Sequence, residues 1–381
     1  MTTKFIGIIV NGATGGIATR QHLESSLVAI RDEGRLNVAG EYVVPRLLLV
    51  GRNEERLAET ARRFAVEEWT TSLDDALANP DYSIFFDAAA TGQRKTTLTR
   101  AIEAGKHVYS EKPVAPTVAE GLELLELAKA RGVKHGAVED KLNLPGLRKL
   151  SYLLKQGFFG QILHFRLVFG WWVFAGDLVE GQRPSWNYKS SGGGGLILDM
   201  HPHWRYVIEG TLGRISRLVA SAWTAIPERF DESGSKYAVD VEDSTSVQVE
   251  LENGVHGSIF GSWATRVRLD EPLSIHVDGT HGSAVAGLHR CHIQLLAQTP
   301  DVAWSPNVDP SHDHRTDWTE VPDLWRYPNS YRVGWEGFIR HVLTDAPFAS
   351  NLSAGIRDVM LAEACYLSAN ESRWVDLREF E

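Results

Sequence analysis

Three short stretches of the chain carry residue types suited to proton and hydride chemistry. The first is Glu111-Lys112-Pro113, which follows the apolar run Lys106–Tyr109. A lysine there stands at the carboxyl edge of a parallel sheet, where ligands bind in such folds. A lone lysine is usually a solvated charge, but this position overrides that reading, and Pro113 removes a donor and stiffens the turn that aims it. Its ammonium would stabilise an oxygen gaining negative charge. The second stretch is Asp199-Met-His201-Pro-His203. Asp199 and His203, four apart at the start of a helix, share a face. Histidine titrates near operating pH, so it suits removal of a hydroxyl proton as hydride leaves the carbon. The same groups would also serve as helix caps or core polar groups. His201-x-His203 plus an acid resembles half a zinc site, but no cysteine or further histidine stands at ligand spacing, so no metal is expected.

The third stretch, Gly12-Ala13-Thr14-Gly15-Gly16-Ile17, lies between an apolar run and an amphipathic one. Glycines at such a turn let the backbone approach a pyrophosphate, whose charge the helix N-terminus favours. Its spacing is Gly-x-x-Gly-x-x-Ala, and the plain alternative is a tight turn with no ligand.

These groups need a scaffold, and the chain up to residue 140 supplies its pattern. Apolar runs at Phe5–Val10, Arg46–Val50, Ser83–Ala89, Lys106–Tyr109 and Val133–Val138 alternate with helical segments at Ile17–Asp32, Asn53–Ala65, Leu73–Ala78, Thr97–Ala104 and Ala119–Arg131. That alternation predicts a doubly wound parallel sheet, an α/β Rossmann domain over 1–140. Beyond it, one helix (Leu147–Gln156) precedes period-two segments at Ile162–Trp172, Arg217–Ala225, Ser244–Leu251, Val255–Trp263 and Leu273–Asp278. These predict an α+β domain over 141–381 with a large, mostly antiparallel open sheet and a late helix, Ser353–Ser368. His312-Asp313-His314 reads as a polar loop.

After the second strand comes Gly51-Arg52-Asn53, with no acid where the ribose of NAD is usually held. Arg52 would meet a 2′-phosphate or stack on adenine, so both NAD and NADP stay open as cofactors. Between the second domain's first strand and His203 lie Trp172, Arg183, Trp186, Tyr188 and Lys189, with Arg205 just beyond. Aromatic faces stack on the C–H faces of sugars. The interleaved cations would bind a carboxylate or sulfonate. The alternative is that the aromatics fill a core or subunit interface and the cations are solvated.

Composition excludes other classes. With 381 residues, a net charge of −10 and 43% hydrophobic residues, the chain is an ordinary soluble one with no basic footprint for nucleic acid or membrane. Two cysteines, Cys291 and Cys365, are too few for a disulfide framework and fit a reducing cytoplasm. The N-terminal run is too short to span a membrane and lacks a cleavage region.

Taken together, the glycine loop, Ala104-Gly-Lys-His-Val running into Glu111-Lys112-Pro113, Gly160-Gln-Ile entering a sheet, and Gly193-Gly-Gly-Leu-Ile-Leu-Asp199-Met-His-Pro-His203 resemble the glucose–fructose oxidoreductase/inositol dehydrogenase (Gfo/Idh/MocA) family over nearly the full length. The resemblance implies that Lys112 touches nicotinamide ribose and the substrate hydroxyl, that Asp199 contacts substrate and that His203 is the acid/base. It also sets Ala90, Thr91 and Glu111 beside the cofactor. The chain departs from the family in reading Thr91-Gly92-Gln93-Arg94 in place of Thr-Pro-Asn, and Glu139-Asp-Lys141-Leu-Asn143 in place of an Asn-Arg-Arg-Phe pattern. The leading expectation is an NAD(P)-dependent oxidoreductase acting on a secondary hydroxyl of a sugar, possible anionic groups included. The alternative is an NAD-dependent glycoside hydrolase using oxidation, elimination, hydration and reduction, with Asp199, Tyr188 or His201 as the extra base. A sheet with an exposed apolar face predicts a homo-oligomer, dimer or tetramer.

Overall fold

A computed structural model describes residues 3–34, 36–301 and 313–381. His312 lies outside the described residues, while His314 opens a short turn, His314–Asp317, capped by Asp313. The chain packs as two units. One comprises Met1–Asn143 with Pro328–Met360, the other Leu144–Tyr327 with Leu361–Glu381.

The first unit is built on strands β1 (Thr3–Asn11), β2 (Asn37–Val38), β3 (Glu41–Val50), β4 (Glu68–Thr70), β5 (Tyr82–Asp87), β6 (His107–Ser110) and β7 (His135–Ala137). They lie in the order β2-β3-β1-β5-β6-β7, with β4 beside β3. The β2–β3 hairpin is antiparallel and the other pairs are parallel. Ile8, Ile9, Val10, Leu49, Ile84, Phe85 and Phe86 are all buried. Helices cover both faces, which is why these runs are continuously apolar. The chain winds outward from β1 in both directions, and the crevice at such a switch point is where ligands settle. The helices are α1 (Ala18–Val28, π-wound and running on into Ala29–Glu33), α2 (Glu54–Arg63), α3 (Leu73–Ala78), α4 (Thr91–Glu103) and α5 (Val118–Arg131). Side chains of Asn53, Ser72 and Thr117 cap α2, α3 and α5, as their residue types favour.

In place of the expected single boundary at residue 140, the chain passes between the units three times, after Asn143, Tyr327 and Met360. A returning helix, Ser330–Thr344, buries Trp335, Phe338 and Ile339 in the first unit's core beside Phe86 and Tyr109. Phe338 stacks on Tyr109 with ring centroids 4.7 Å apart. Without these aromatics the flank of β5 and β6 would face water, so the segment belongs to the first unit and not to the second as the sequence reading had it.

The second unit begins with α6 (Pro145–Lys155) and β8 (Ile162–Gly170), then α7 (Leu196–Glu209) and β9 (Ile215–Trp223). A small hairpin, β10 (Glu228–Phe230) with β11 (Lys236–Ala238), stands apart. The sheet continues through β12 (Ser244–Leu251), β13 (His256–Ser262), β14 (Leu273–Gly279), β15 (Gly282–Ala286), β16 (Cys291–Leu295), β17 (Thr319–Glu320) and β18 (Val375–Asp376). Its order is β17-β16-β15-β14-β8-β13-β12-β9-β18. Neighbours are antiparallel except β8 and β13, which run parallel. Helix α7 packs on β9, β12 and β13 and buries Leu196, Ile197, Met200, Trp204, Val207 and Ile208. Among the described residues no helix is long and apolar enough to cross a membrane.

If the returning helix is part of the first unit's core, Phe338→Ala should destabilise that unit by about 3–5 kcal/mol. Chemical denaturation followed by fluorescence checks this, and a cost under about 1 kcal/mol would contradict the packing described.

Candidate active site

In the first unit the glycine loop is held against the sheet by its own backbone. Gly12 and Ala13 donate to the Val50 carbonyl at 3.0 and 3.1 Å, and Gly15 donates to Gly12 at 2.9 Å. Gly12 has φ +74°, and a Cβ there would lie 2.8 Å from the Ala88 carbonyl carbon, so only glycine fits. The helix that follows starts at Ile17 with no side-chain cap and no acid in its first turn. Its leading N–H groups are thus presented by an uncapped end, the arrangement a pyrophosphate needs. Thr14 accepts from Arg56 through its carbonyl at 3.3 Å. Arg52 is exposed, while the Asn53 side chain is occupied in capping α2.

The loop after β5 is pinned by Asp87, which is fully buried. It accepts from Asn11 Nδ2 at 3.3 Å and the Ala89 N–H at 2.8 Å, and from the Thr97 hydroxyl. Ala90 and Thr91 open α4 without a side-chain cap. Arg94, one turn later, is 3% exposed and donates to the carbonyls of Ala89 and Pro113. Burial pulls its pKa down, opposed by the charges of Asp87 and Glu111.

Lys112 follows β6, and its bond to Pro113 is cis. Glu111, expected beside the cofactor, is buried, with Oε1 2.7 Å from His22 Nε2 and Oε2 accepting the Lys112 N–H at 3.0 Å. Burial pushes its pKa up, but the His22 hydrogen bond and the charges of Lys112 and Arg94 hold the carboxyl below the usual carboxylate range.

In the second unit, Gly195 starts α7 at φ +117°, where a Cβ would meet Glu242 Oε1 at 2.7 Å. Glu242 reaches the helix end from outside, accepting the Ile197 N–H at 2.8 Å and the Tyr366 hydroxyl at 3.0 Å. Burial raises its pKa. This anchor fixes the helix that carries Asp199 and His203 on one face. His203 is 6% exposed, and its Nδ1 lies 2.6 Å from the Tyr206 hydroxyl. Asp199 accepts from Arg183, which also donates to Asn187 Oδ1 at 2.7 Å and lies 4.4 Å from the Trp263 ring.

Several expected substrate contacts are engaged within the unit. His201 is fully buried between Thr245 Oγ1 at 3.0 Å and Cys365 Sγ at 3.4 Å, and burial pushes its pKa down to about 3. It is a core histidine, which removes it from the candidate contacts and from any metal pair with His203. Arg205 is also buried, 3.5 Å from Glu209. Lys189 sits 4.3 Å over the Tyr237 ring, and Trp172 lies under Arg266 at 3.8 Å. Tyr188 is buried beneath Arg229 at 4.0 Å, with burial raising its hydroxyl to about 12. Trp186 is half exposed. Among the described residues, Tyr188 Oη, Arg183 Nε and Trp263 Nε1 are buried polar atoms without a hydrogen-bond partner. No group of three His, Cys, Asp or Glu side chains that would hold a metal ion occurs among the described residues.

Sequence reading missed His22, Arg56, Asp87, Arg94, Tyr206 and Trp335. Arg94 alone had a local signal, since it falls in the stretch that departs from Thr-Pro-Asn.

Family models match both units. The oxidoreductase family with NAD-binding Rossmann fold covers residues 7–138, and the GFO/IDH/MocA C-terminal domain covers 147–285. The chain belongs to the GFO/IDH/MocA oxidoreductase family. Its first unit is the NAD-binding Rossmann domain of that family. The D-xylose dehydrogenase of Paenarthrobacter nicotinovorans is 43% identical over 382 residues, spanning 99% of this chain and 98% of that protein. The levoglucosan dehydrogenase of Pseudarthrobacter phenanthrenivorans is 24% identical, over 87% of this chain and 89% of that one. A solved levoglucosan dehydrogenase, in complex with NADH and L-sorbose, superposes with TM-score 0.81 at 22% identity. It covers 98% of this chain and 99% of its own. For this GFO/IDH/MocA member the likeness to solved structures fixes the fold.

The depressed His201 pKa carries a stability signature. The folded protein keeps His201 neutral down to about pH 3, whereas the unfolded chain binds that proton near the ordinary histidine value of 6.5. Stability from this group is therefore present above that value and is lost as pH falls toward 3. Relative to His201→Gln, the parent should lose stability between pH 6 and 4 more steeply, by up to about 1.4 kcal/mol per pH unit. Denaturation midpoints across that range check it, and turnover at neutral pH should be preserved in the variant. Parallel pH slopes would contradict the buried, neutral assignment.

Proposed function

We propose that the protein is an NAD-dependent dehydrogenase of a neutral aldose, with D-xylose the leading substrate. The observation that carries this reading is the near full-length likeness to a D-xylose dehydrogenase. A neutral substrate fits the charges: Arg183 pairs with Asp199, Arg205 with Glu209, and Lys189 lies over Tyr237. With each cation engaged inside its unit, the anionic sugar of the first expectation loses its motivation. The glycoside-cleaving alternative gains no support from the relatives named and is not proposed.

NAD, held by the Gly12, Gly15 and Gly16 loop, would supply the hydride acceptor for the carbinol carbon. The chain's part is to take the proton and stabilise the charge. His203 Nδ1 pairs with Tyr206 Oη at 2.6 Å; in the tautomer with its hydrogen on Nδ1, Nε2 carries the lone pair that would remove the hydroxyl proton. Lys112 lowers the energy of the alkoxide-like oxygen as the C–H bond breaks. Asp199, braced by Arg183, orients a substrate hydroxyl. Products are the carbonyl compound and reduced cofactor, with one proton released. Arg52, exposed and without an acid beside it at the end of β3, leaves NADP as the second cofactor to assay.

Oligomerisation is proposed with this activity. On the sheet of the second unit, Trp223 is 42% exposed and lies 6.5 Å from Phe260, which marks an apolar patch suited to a second copy. Light scattering is expected to return a dimer or tetramer, and a monomer at micromolar concentration would contradict it. The buried free thiols of Cys291 and Cys365 are compatible with the cytoplasm proposed from composition.

Steady-state assays with NAD or NADP test the reading against neutral aldoses, their uronates and nitrophenyl glycosides. Net cofactor reduction is expected, with the neutral sugar preferred over its uronate by more than about tenfold in kcat/KM. Lys112→Ala and His203→Ala should each lower turnover by about a hundredfold or more with folding intact. Near-parent rates in both variants would remove this site, and aglycone release without net reduction would overturn the reaction class.

A further inference from the structure

A buried hydrogen-bond chain ends on the lysine turn. Trp335 Nε1 donates to His22 Nδ1 at 3.0 Å, so Nδ1 is an acceptor and the neutral ring carries its hydrogen on Nε2. His22 Nε2 accordingly donates to Glu111 Oε1 at 2.7 Å. Glu111 Oε2 in turn accepts the Lys112 N–H at 3.0 Å. His22 and Trp335 are 0% exposed. The imidazole is held by the rings of Phe86 and Tyr331, with centroids 4.3 and 5.1 Å away. On the far side of Lys112, Arg94 holds the Pro113 carbonyl. The lysine is therefore bracketed by an anchored carboxylate before it and an anchored carbonyl after it.

We propose that His22 is a positioning residue for the dehydrogenase reaction, acting through Glu111 on Lys112. This rests on the role given to Lys112 above. A carboxylate buried at this depth stays ionised only while its oxygens are bonded. Without the Nε2 donor, Glu111 takes up a proton or turns from the Lys112 N–H. The turn then loses its anchor, and the ammonium loses the negative charge beside it. The substitution is confined to the first unit and leaves the proposed sugar contacts Asp199 and Arg183 unaltered in sequence, so turnover falls while sugar binding stays.

Two short amides separate this role from simple packing. In His22→Asn the amide replaces the Nδ1 end of the ring and does not reach Glu111. In His22→Gln the chain is long enough to put an N–H donor where Nε2 stood. The variants are measured beside the parent and Lys112→Ala for kcat, sugar KM, NAD affinity by fluorescence and thermal melting. His22→Asn should lose about tenfold or more in kcat, with sugar KM and NAD affinity within about threefold of the parent. His22→Gln should recover to within about threefold of the parent kcat. A parent-like His22→Asn, a His22→Gln no better than His22→Asn, or failure of both to fold would overturn the proposal, the last by making His22 a core residue. Parent rates in Lys112→Ala would instead overturn the functional reading beneath it. An inactive Lys112→Ala with a parent-like His22→Asn would remove the positioning role alone.

Discussion

A buried carboxylate must be paid for with hydrogen bonds, and the one at Glu111 organises much of the first unit. Its two oxygens join His22 and the Lys112 backbone, so the reactive turn and the helix after the glycine loop share one buried contact. Trp335 fixes which imidazole nitrogen donates, and it is supplied by a helix 313 residues further along the chain than His22. Residues 328–360, which return to the Rossmann unit, supply that indole together with core side chains Phe338 and Ile339. Phe86, Tyr331 and Trp335 surround the imidazole, and Tyr109 and Phe338 pack behind them. A neutral histidine between an indole and a carboxylate is stable only where water does not compete.

The second unit solves a parallel problem with different chemistry. Glu242 accepts the N–H of Ile197 and the Tyr366 hydroxyl, so α7 starts at a fixed place. Asp199 and His203 project from its first two turns, one braced by Arg183 and the other by Tyr206. Each reactive group in this account thus has a neighbour that fixes it. Arg183, one of the cations that suggested an acidic substrate, is such a neighbour, while Arg205 is engaged by Glu209 and Lys189 lies over Tyr237, the arrangement on which the neutral sugar was proposed.

Sequence made the local features legible. The glycine loop, the strand before Glu111-Lys112-Pro113 and the i,i+4 pair at Asp199 and His203 are set by short-range pattern, and strand Ser244–Leu251 and helix Leu73–Ala78 fall where periodicity put them. Long-range pairing was not legible. Nothing near His22 signals that it meets Glu111, 89 residues away, and alternation in β8 and β13 is the same whether they run parallel or antiparallel. The histidine pair at 201 and 203 shows the limit most clearly. The two are the same residue type two positions apart on one helix, so they point different ways. One enters the core against Thr245 and Cys365, while the other meets Tyr206. Helix Ser330–Thr344 was missed because its apolar residues are mixed with Gly334, Gly337 and charged side chains.

The most direct test of the account is to follow the hydrogen itself. The best neutral aldose, deuterated at every carbon, is incubated with the protein and NAD, and the reduced cofactor is analysed by mass spectrometry. One deuterium per molecule of reduced cofactor is expected, with slower turnover than for the protonated sugar. Sugar consumed without deuterium in the cofactor would contradict hydride transfer from a carbinol carbon.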